Sequence, residues 1–165
     1  MREAILTYFT GEQNAGLVAA IVAFLGLAAA GFLREGRSSL RPLAVTLAIA
    51  ALLDLALGVG LFVRTGPQVE RLIAQLGSEA SAFYTAESTR MTRVQRSFVL
   101  LEYAWVGLIV ASVVAAVALR KRRPALSGVA LGLLLNFVFL LAFDLVAERR
   151  GATYLAALEI HRPSD

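Results

Sequence analysis

Four stretches of this sequence run apolar for close to the ~20 residues needed to cross a ~30 Å hydrocarbon core as a helix. They are 15–33, 43–63, 98–119 and 125–146. The first carries no charge, the second only Asp54, the third Glu102 near its start, and the fourth Asp144 near its end. None alternates apolar and polar residues in the ~10-residue blocks of a membrane barrel strand, so helices are predicted. The fold class expected is all-α: a polytopic membrane protein, a four-transmembrane-helix bundle with an extramembrane helical segment between helices 2 and 3. Residues 1–165 then make one membrane domain. The segment ahead of the first span is long, and Arg2 is offset by Glu3 and Glu12. A cleaved leader would begin positive, so the span is expected to be retained.

The segment 64–97 has its own pattern and is expected to form an outer helical cap. Gly66-Pro67 predicts a helix start, because proline at the first helical position loses no bond. Val69, Leu72, Ile73 and Leu76 follow at helical spacing. Gly77 predicts the end of that helix and Ser78 an N-cap for the next. No breaker then occurs until Pro124, so the third helix is predicted to begin well outside the span and to run about 40 residues, ~60 Å. The tail 147–165 is short and amphipathic through Tyr154, Leu155, Leu158 and Ile160, and suits the outer membrane surface.

Basic residues predict the orientation. Loops 34–41 and 120–123 hold seven of the sixteen Lys and Arg residues. Short basic loops face the cytoplasm, which puts both termini and the 64–97 segment outside. Tyr8, Phe9, Phe62, Phe98, Tyr103, Trp105 and Phe143 would form an aromatic belt at the outer boundary. The preference for arginine over lysine suggests a GC-rich bacterial genome, hence a bacterial inner membrane.

Composition agrees: 58% of the residues are hydrophobic and 17% charged, and mean hydropathy is +0.71. A pI near 10.1 does not indicate nucleic-acid binding, because positive-inside loops account for the basic runs. With one histidine and no cysteine, the usual metal, haem and cluster ligands are missing, and no cofactor or metal is expected. Gly58-x-Gly60 lacks the strand and loop of a nucleotide fingerprint, and no catalytic motif has the right spacing.

Ionisable residues inside a span are costly and need an explanation. Asp54 and Asn136 fall near the midplane. Glu102 and Asp144 fall within about two turns of the outer surface, where Arg64 caps the second span. Asn136, Asp144 and Glu148 share one helix face. These six residues are the candidate ligand or ion site. Their structural alternative is Asp54 bonded to Asn136, with Arg64 neutralising Glu102 or Asp144. Leu72, Leu76, Phe83 and Met91 are candidates for a partner surface, the alternative being that they form the cap's own core. Arg90, Arg93 and Arg96 near Glu87 suit a solvated face. Gly128-x-x-x-Gly132 is a close-approach motif, for packing within the bundle or across a dimer.

The function expected is that of a small non-enzymatic inner-membrane protein, an accessory, regulatory or protective partner of another membrane or periplasmic component. The alternative is a proton- or cation-linked channel or carrier working as a homo-oligomer through Asp54. A membrane-embedded enzyme is third. Its partners are then the lipid bilayer and either copies of itself or another membrane protein.

Overall fold

The computed structural model describes residues 1–36 and 38–162. Arg37, counted with the first basic loop, and the last three residues of the tail lie outside them. The chain forms four long helices: α1 (Arg2–Glu35), α2 (Arg41–Ser78), α3 (Ala80–Leu119) and α4 (Pro124–Ile160), with a 3-10 turn at Ser38–Leu40 before α2. No strand occurs among the described residues. All four helices are long and apolar enough to cross a membrane.

Consecutive helices run antiparallel, so both termini and the α2–α3 turn gather at one end, called here the head. The two basic turns lie at the other. α1 pairs with α2 and α3 with α4, and the two hairpins join chiefly through α2 and α4. Among the described residues the backbones of α1 and α3 do not approach each other, and these helices share only side-chain surroundings. At 34 to 40 residues, each helix is about 50–60 Å long. That exceeds a ~30 Å hydrocarbon core, and the surplus forms the head.

What is buried changes along the bundle. In the apolar middle the buried positions are small: Gly16, Ala19, Ala23, Ala51, Gly58, Gly128, Ala130 and Gly132. The large side chains point outward there, Phe24 at 62%, Leu53 at 66% and Leu100 at 72% exposure. Lipid is as apolar as leucine, so large residues gain nothing by turning in, whereas small ones let backbones approach. In the head the order is that of a water-soluble protein. Ile5, Phe9, Leu72, Phe83, Tyr84, Met91, Tyr154 and Leu158 form a closed core drawn from all four helices, as the hydrophobic effect requires where water is the solvent.

Several expectations differ from the structure at this end. Gly66-Pro67 does not begin a helix: α2 passes through Pro67 to Ser78. A proline inside a helix loses one hydrogen bond and costs about 3 kcal/mol. Continuing the helix places Leu72 in the head core with Val69, Ile73 and Leu76 against it, which offsets that loss. Thr65, fully buried two residues before the proline, donates its hydroxyl back to the Leu61 carbonyl at 2.6 Å. The α2–α3 connection is the single residue Glu79, whose N–H donates to the Gln75 carbonyl, and Ser78 donates back to Ala74 instead of capping α3. α3 itself has the 40 residues expected of it. The tail does not lie apart as a surface helix. α4 runs on to Ile160 and inserts Tyr154 and Leu158 into the head. Tyr8 and Phe9 belong to that core and not to a belt, at 7% and 1% exposure.

The glycines show where the helices touch. A Cβ on Gly16 would stand 2.6 Å from the Gly58 carbonyl oxygen, and one on Gly58 2.5 Å from that of Gly16. α1 and α2 therefore cross backbone to backbone. Gly128 and Gly132 pack on Leu43 and Thr46 of α2, so the close-approach motif works within the bundle.

Candidate functional site

Where the head meets the apolar segments, all four helices contribute to a central chamber of about 220 Å³. Its lower lining is apolar and includes Ala15, Leu57, Leu61, Phe98 and Phe143; its upper lining is charged. Arg64 comes from α2, Arg90 from α3 and Arg150 from α4, facing Tyr8 and Glu12 of α1 and Asp144 of α4. Sequence position explains the layering, since each helix leaves its apolar run at this level.

A continuous polar network holds the upper wall. Glu87, 3% exposed, accepts two hydrogen bonds from Arg90, from Nε at 2.8 Å and Nη2 at 2.6 Å, and a third from the Tyr154 hydroxyl at 3.2 Å. Tyr154 stacks on Tyr8 with ring centroids 4.7 Å apart. Tyr8 donates to Glu12 Oε1 at 3.0 Å, and Arg64 stands 3.9 Å from the same oxygen. Arg150 ties α4 to α1 by donating to the Gly11 carbonyl. Two atoms on this wall are enclosed without a hydrogen-bond partner: Glu12 Oε2, an acceptor, and Arg150 Nε, a donor. Leaving an enclosed polar atom unsatisfied costs about 1–3 kcal/mol, and both atoms are closed off from the chamber's free space.

The network perturbs its phenols and its guanidinium. Burial pushes the Tyr8 hydroxyl above the ordinary tyrosine range, and the Glu12 carboxylate adds to this. Tyr154 is raised by burial and then by Glu87. Hydrogen bonding to Glu87 raises Arg90 further. Folding therefore holds two phenolic protons that the unfolded chain releases near pH 10. Stability that is fully present below about pH 10 must fall as pH rises beyond it. Thermal melts in detergent from about pH 8 to about pH 11.5 should show this decline, and it should be shallower in the Tyr8→Phe, Tyr154→Phe double variant. An unchanged slope in that variant would refute the assignment.

Of the six candidate site residues, the structure brings four to this level. Arg64 and Asp144 line the chamber. Arg64 pairs with Glu12 and not with Glu102 or Asp144. Asp144 instead accepts from the Trp105 indole at 2.7 Å, and that ring stacks on Phe137 at 5.8 Å. Glu102 neighbours Glu148 and Asp144 across the α3–α4 interface, with its Oε1 enclosed and unpartnered; Glu102 and Glu148 do not line the chamber. Asp54 is buried at 6% exposure, farther down α2. Asn136 is half-buried, and no hydrogen bond joins the two among the described residues. No group of three or more His, Asp or Glu side chains is arranged to hold a metal ion among the described residues.

The candidate partner surface is core. Leu72, Phe83 and Met91 are 5%, 4% and 0% exposed, and Leu76 packs against them. The helical spacing that made them conspicuous is the spacing of a buried face. Sequence reasoning missed Tyr8, Glu12, Arg90 and Arg150. A signal existed for two of them, since Glu12 and Arg150 each lie within about a turn of an apolar run. Glu87 and Arg90, three apart, do not form the solvated face expected of them; Arg93 and Arg96 are exposed.

The fold and the chamber define a class: an all-helical bundle with the make-up of a multi-pass membrane protein, carrying a charged cavity at the base of a packed head. No family model matches the sequence, and neither a curated protein nor a solved structure is significantly similar to it.

Proposed function

We propose that the chain is a non-enzymatic protein of a bacterial inner membrane, and that it works as an accessory or regulatory component by holding a small anionic group in the chamber. In this reading the four apolar segments cross the bilayer, the two basic turns face the cytoplasm, and the head with both termini stands outside. The short basic turns support that orientation. The outward-facing large apolar side chains of the middle, and the packed aromatic core of the head, support the division between lipid and water.

The observation behind the ligand is that three arginines, from three different helices, line one cavity. Arginine presents a planar fork of donors suited to phosphate and carboxylate oxygens. Two carboxylates line the cavity with the arginines, and Glu87, bonded to Arg90, supplies a third negative charge. An anion would therefore be held by the directed donors of Arg64 and Arg150 and not by an excess of positive charge.

Trp105, the single tryptophan, supplies a reporter because its indole is bonded to Asp144 on the chamber wall. Titrating the detergent-solubilised protein with inorganic phosphate and with soluble phosphate esters, at constant ionic strength, should change its emission saturably. Arg64→Ala should weaken that response about tenfold, the worth of one charge-assisted contact. Indifference to every anion tested would overturn the chamber as a binding site.

A further inference from the structure

We infer that the two basic turns together form one lipid site, and that it takes a phospholipid whose headgroup carries two phosphates, as cardiolipin does. The inference rests on the reading that the four apolar segments cross a bilayer, and not on the chamber, which lies at their opposite end.

The fold merges what the sequence holds apart. The turn Ser38–Leu40 packs on α4. A Cβ on Gly128 would stand 3.3 Å from the Leu43 nitrogen and 3.5 Å from the Pro42 Cβ, so α2 and α4 begin side by side. Ser127 donates to the Ala116 carbonyl at 2.8 Å and ties the start of α4 to the end of α3. Arg41 immediately precedes Pro42, and the run 120–123 lies between Ala116 and Gly128. The surface so formed carries Arg34, Arg41, Arg120, Lys121, Arg122 and Arg123, all exposed, with Glu35 the one acid there among the described residues. None of these basic groups is held in an ion pair among the described residues, and no acid stands in the first turn of α2 or of α4. A positive-inside bias is satisfied by basic residues anywhere on that side. It does not require that the turns of two separate hairpins be packed together.

What borders the charges identifies the ligand. Phe32, two residues before Arg34, is 81% exposed, and Val117, three before Arg120, is 73% exposed. Val45 and Leu126 likewise point outward within about a turn of Arg41 and Arg123. Each turn is thus flanked by large apolar side chains, the order of a lipid, with phosphate at the surface and chains beside it. A dissolved polyanion or an acidic protein would answer the charges alone. The number of charges then selects the headgroup. A guanidinium fork takes phosphate oxygens in pairs, so a single phosphate is satisfied by one or two arginines of one turn and leaves the other turn unanswered. Two phosphates on one molecule answer both, and their linkage makes the second contact intramolecular.

The test uses the full chain in phosphatidylcholine nanodiscs containing a minor fraction of cardiolipin, or of phosphatidylglycerol at equal total phosphate. Native mass spectrometry counts the lipid retained on release into detergent. Cardiolipin should be retained at about one molecule per chain and preferred over phosphatidylglycerol at least about tenfold. Arg41→Gln on the first hairpin and Arg123→Gln on the second should each weaken retention about fivefold, the worth of one basic residue at an anionic membrane surface. Arg41→Lys and Arg123→Lys keep the charge and should keep most of the binding, and Arg93→Gln, at the head, should leave it unchanged. Equal retention of the two lipids at equal phosphate would show that paired phosphates are not read. A loss confined to the variant of one hairpin would show that the turns do not act together. Either result overturns the inference, and so does inorganic pyrophosphate binding as tightly as the lipid, which would make the ligand a dissolved polyanion. If the chain enters the bilayer and retains no anionic lipid, the inference falls and the membrane reading stands. If it does not enter the bilayer, both fall.

Discussion

Glu87→Ala should destabilise the head by about 2–4 kcal/mol. That is less than breaking a fully buried ion pair, because the Arg90 side chain is 36% exposed and can be rehydrated. Glu87 is 3% exposed and is the shared acceptor of Arg90 and Tyr154, so its loss strands a guanidinium and a phenol at once. Tyr154 carries the stack with Tyr8 and hence the link from α4 to α1. Glu87→Gln keeps one acceptor oxygen, able to take the bonds from Tyr154 and Arg90 Nη2, but turns an NH2 donor toward Arg90 Nε. It should cost less, about 1–2 kcal/mol. Arg93→Ala and Arg96→Ala, on the exposed side of the same helix, should stay within about 0.5 kcal/mol of wild type. Denaturant unfolding in detergent, followed by Tyr and Trp spectra, ranks the four variants. A Glu87→Ala protein as stable as Arg93→Ala would mean that the pair is not buried.

The second large effect is expected at the crossing of α1 and α2. The two nearest atoms a Gly58 side chain would meet are backbone, the Gly16 carbonyl oxygen at 2.5 Å and the Ala20 nitrogen at 3.0 Å, with the Ala19 Cβ next at 3.2 Å. Neither backbone atom can rotate away, so Gly58→Val must push the helices apart along the hairpin. Overpacking a core costs about 1–3 kcal/mol where side chains can yield, and here the cost should reach or exceed the top of that range. Gly60, two residues on, has nothing within 4 Å of a Cβ. Gly60→Ala should therefore be neutral or slightly stabilising, by up to about 1 kcal/mol, because alanine is the better helix former. The readout is the yield of monodisperse protein and its melting temperature in detergent. Similar behaviour of the two variants would show that the helices do not cross at Gly58.

Much of the architecture was legible because apolar runs of membrane-spanning length are a local property. So were the start of α4 at Pro124, where a proline closes off the preceding helix, and the unbroken length of α3. Pro67 misled because its local preference, to begin a helix, was outweighed by the burial of Leu72 and its neighbours against partners far away in sequence. Tyr8 and Phe9 misled for a related reason. An aromatic residue near a span end suits both a membrane interface and a packed head, and only the position of the other three helices separates the two. Arg90 resembles Arg93 and Arg96 in sequence, yet it alone turns toward a buried acid.

The candidate site was legible in part. Arg64 and Asp144 stood out as charges at the ends of apolar runs, and both line the chamber. Their partners did not follow from spacing. Arg64 meets Glu12 across the first hairpin and Asp144 meets Trp105 across the second. Arg150 and Glu12, the residues with orphaned atoms, are ordinary boundary charges until α1 and α4 are brought together.

The amino-acid sequence by itself determined four long apolar helices, their basic turns and the small residues that let them approach, because each depends on neighbours within a few turns. Tertiary structure alone decided that the helix ends merge into one head, that Glu87 lies inside it, and that three arginines face two carboxylates around a chamber. Charges from four helices acquire their partners only when the chain has brought those helices side by side, and no periodicity within a single helix encodes that meeting.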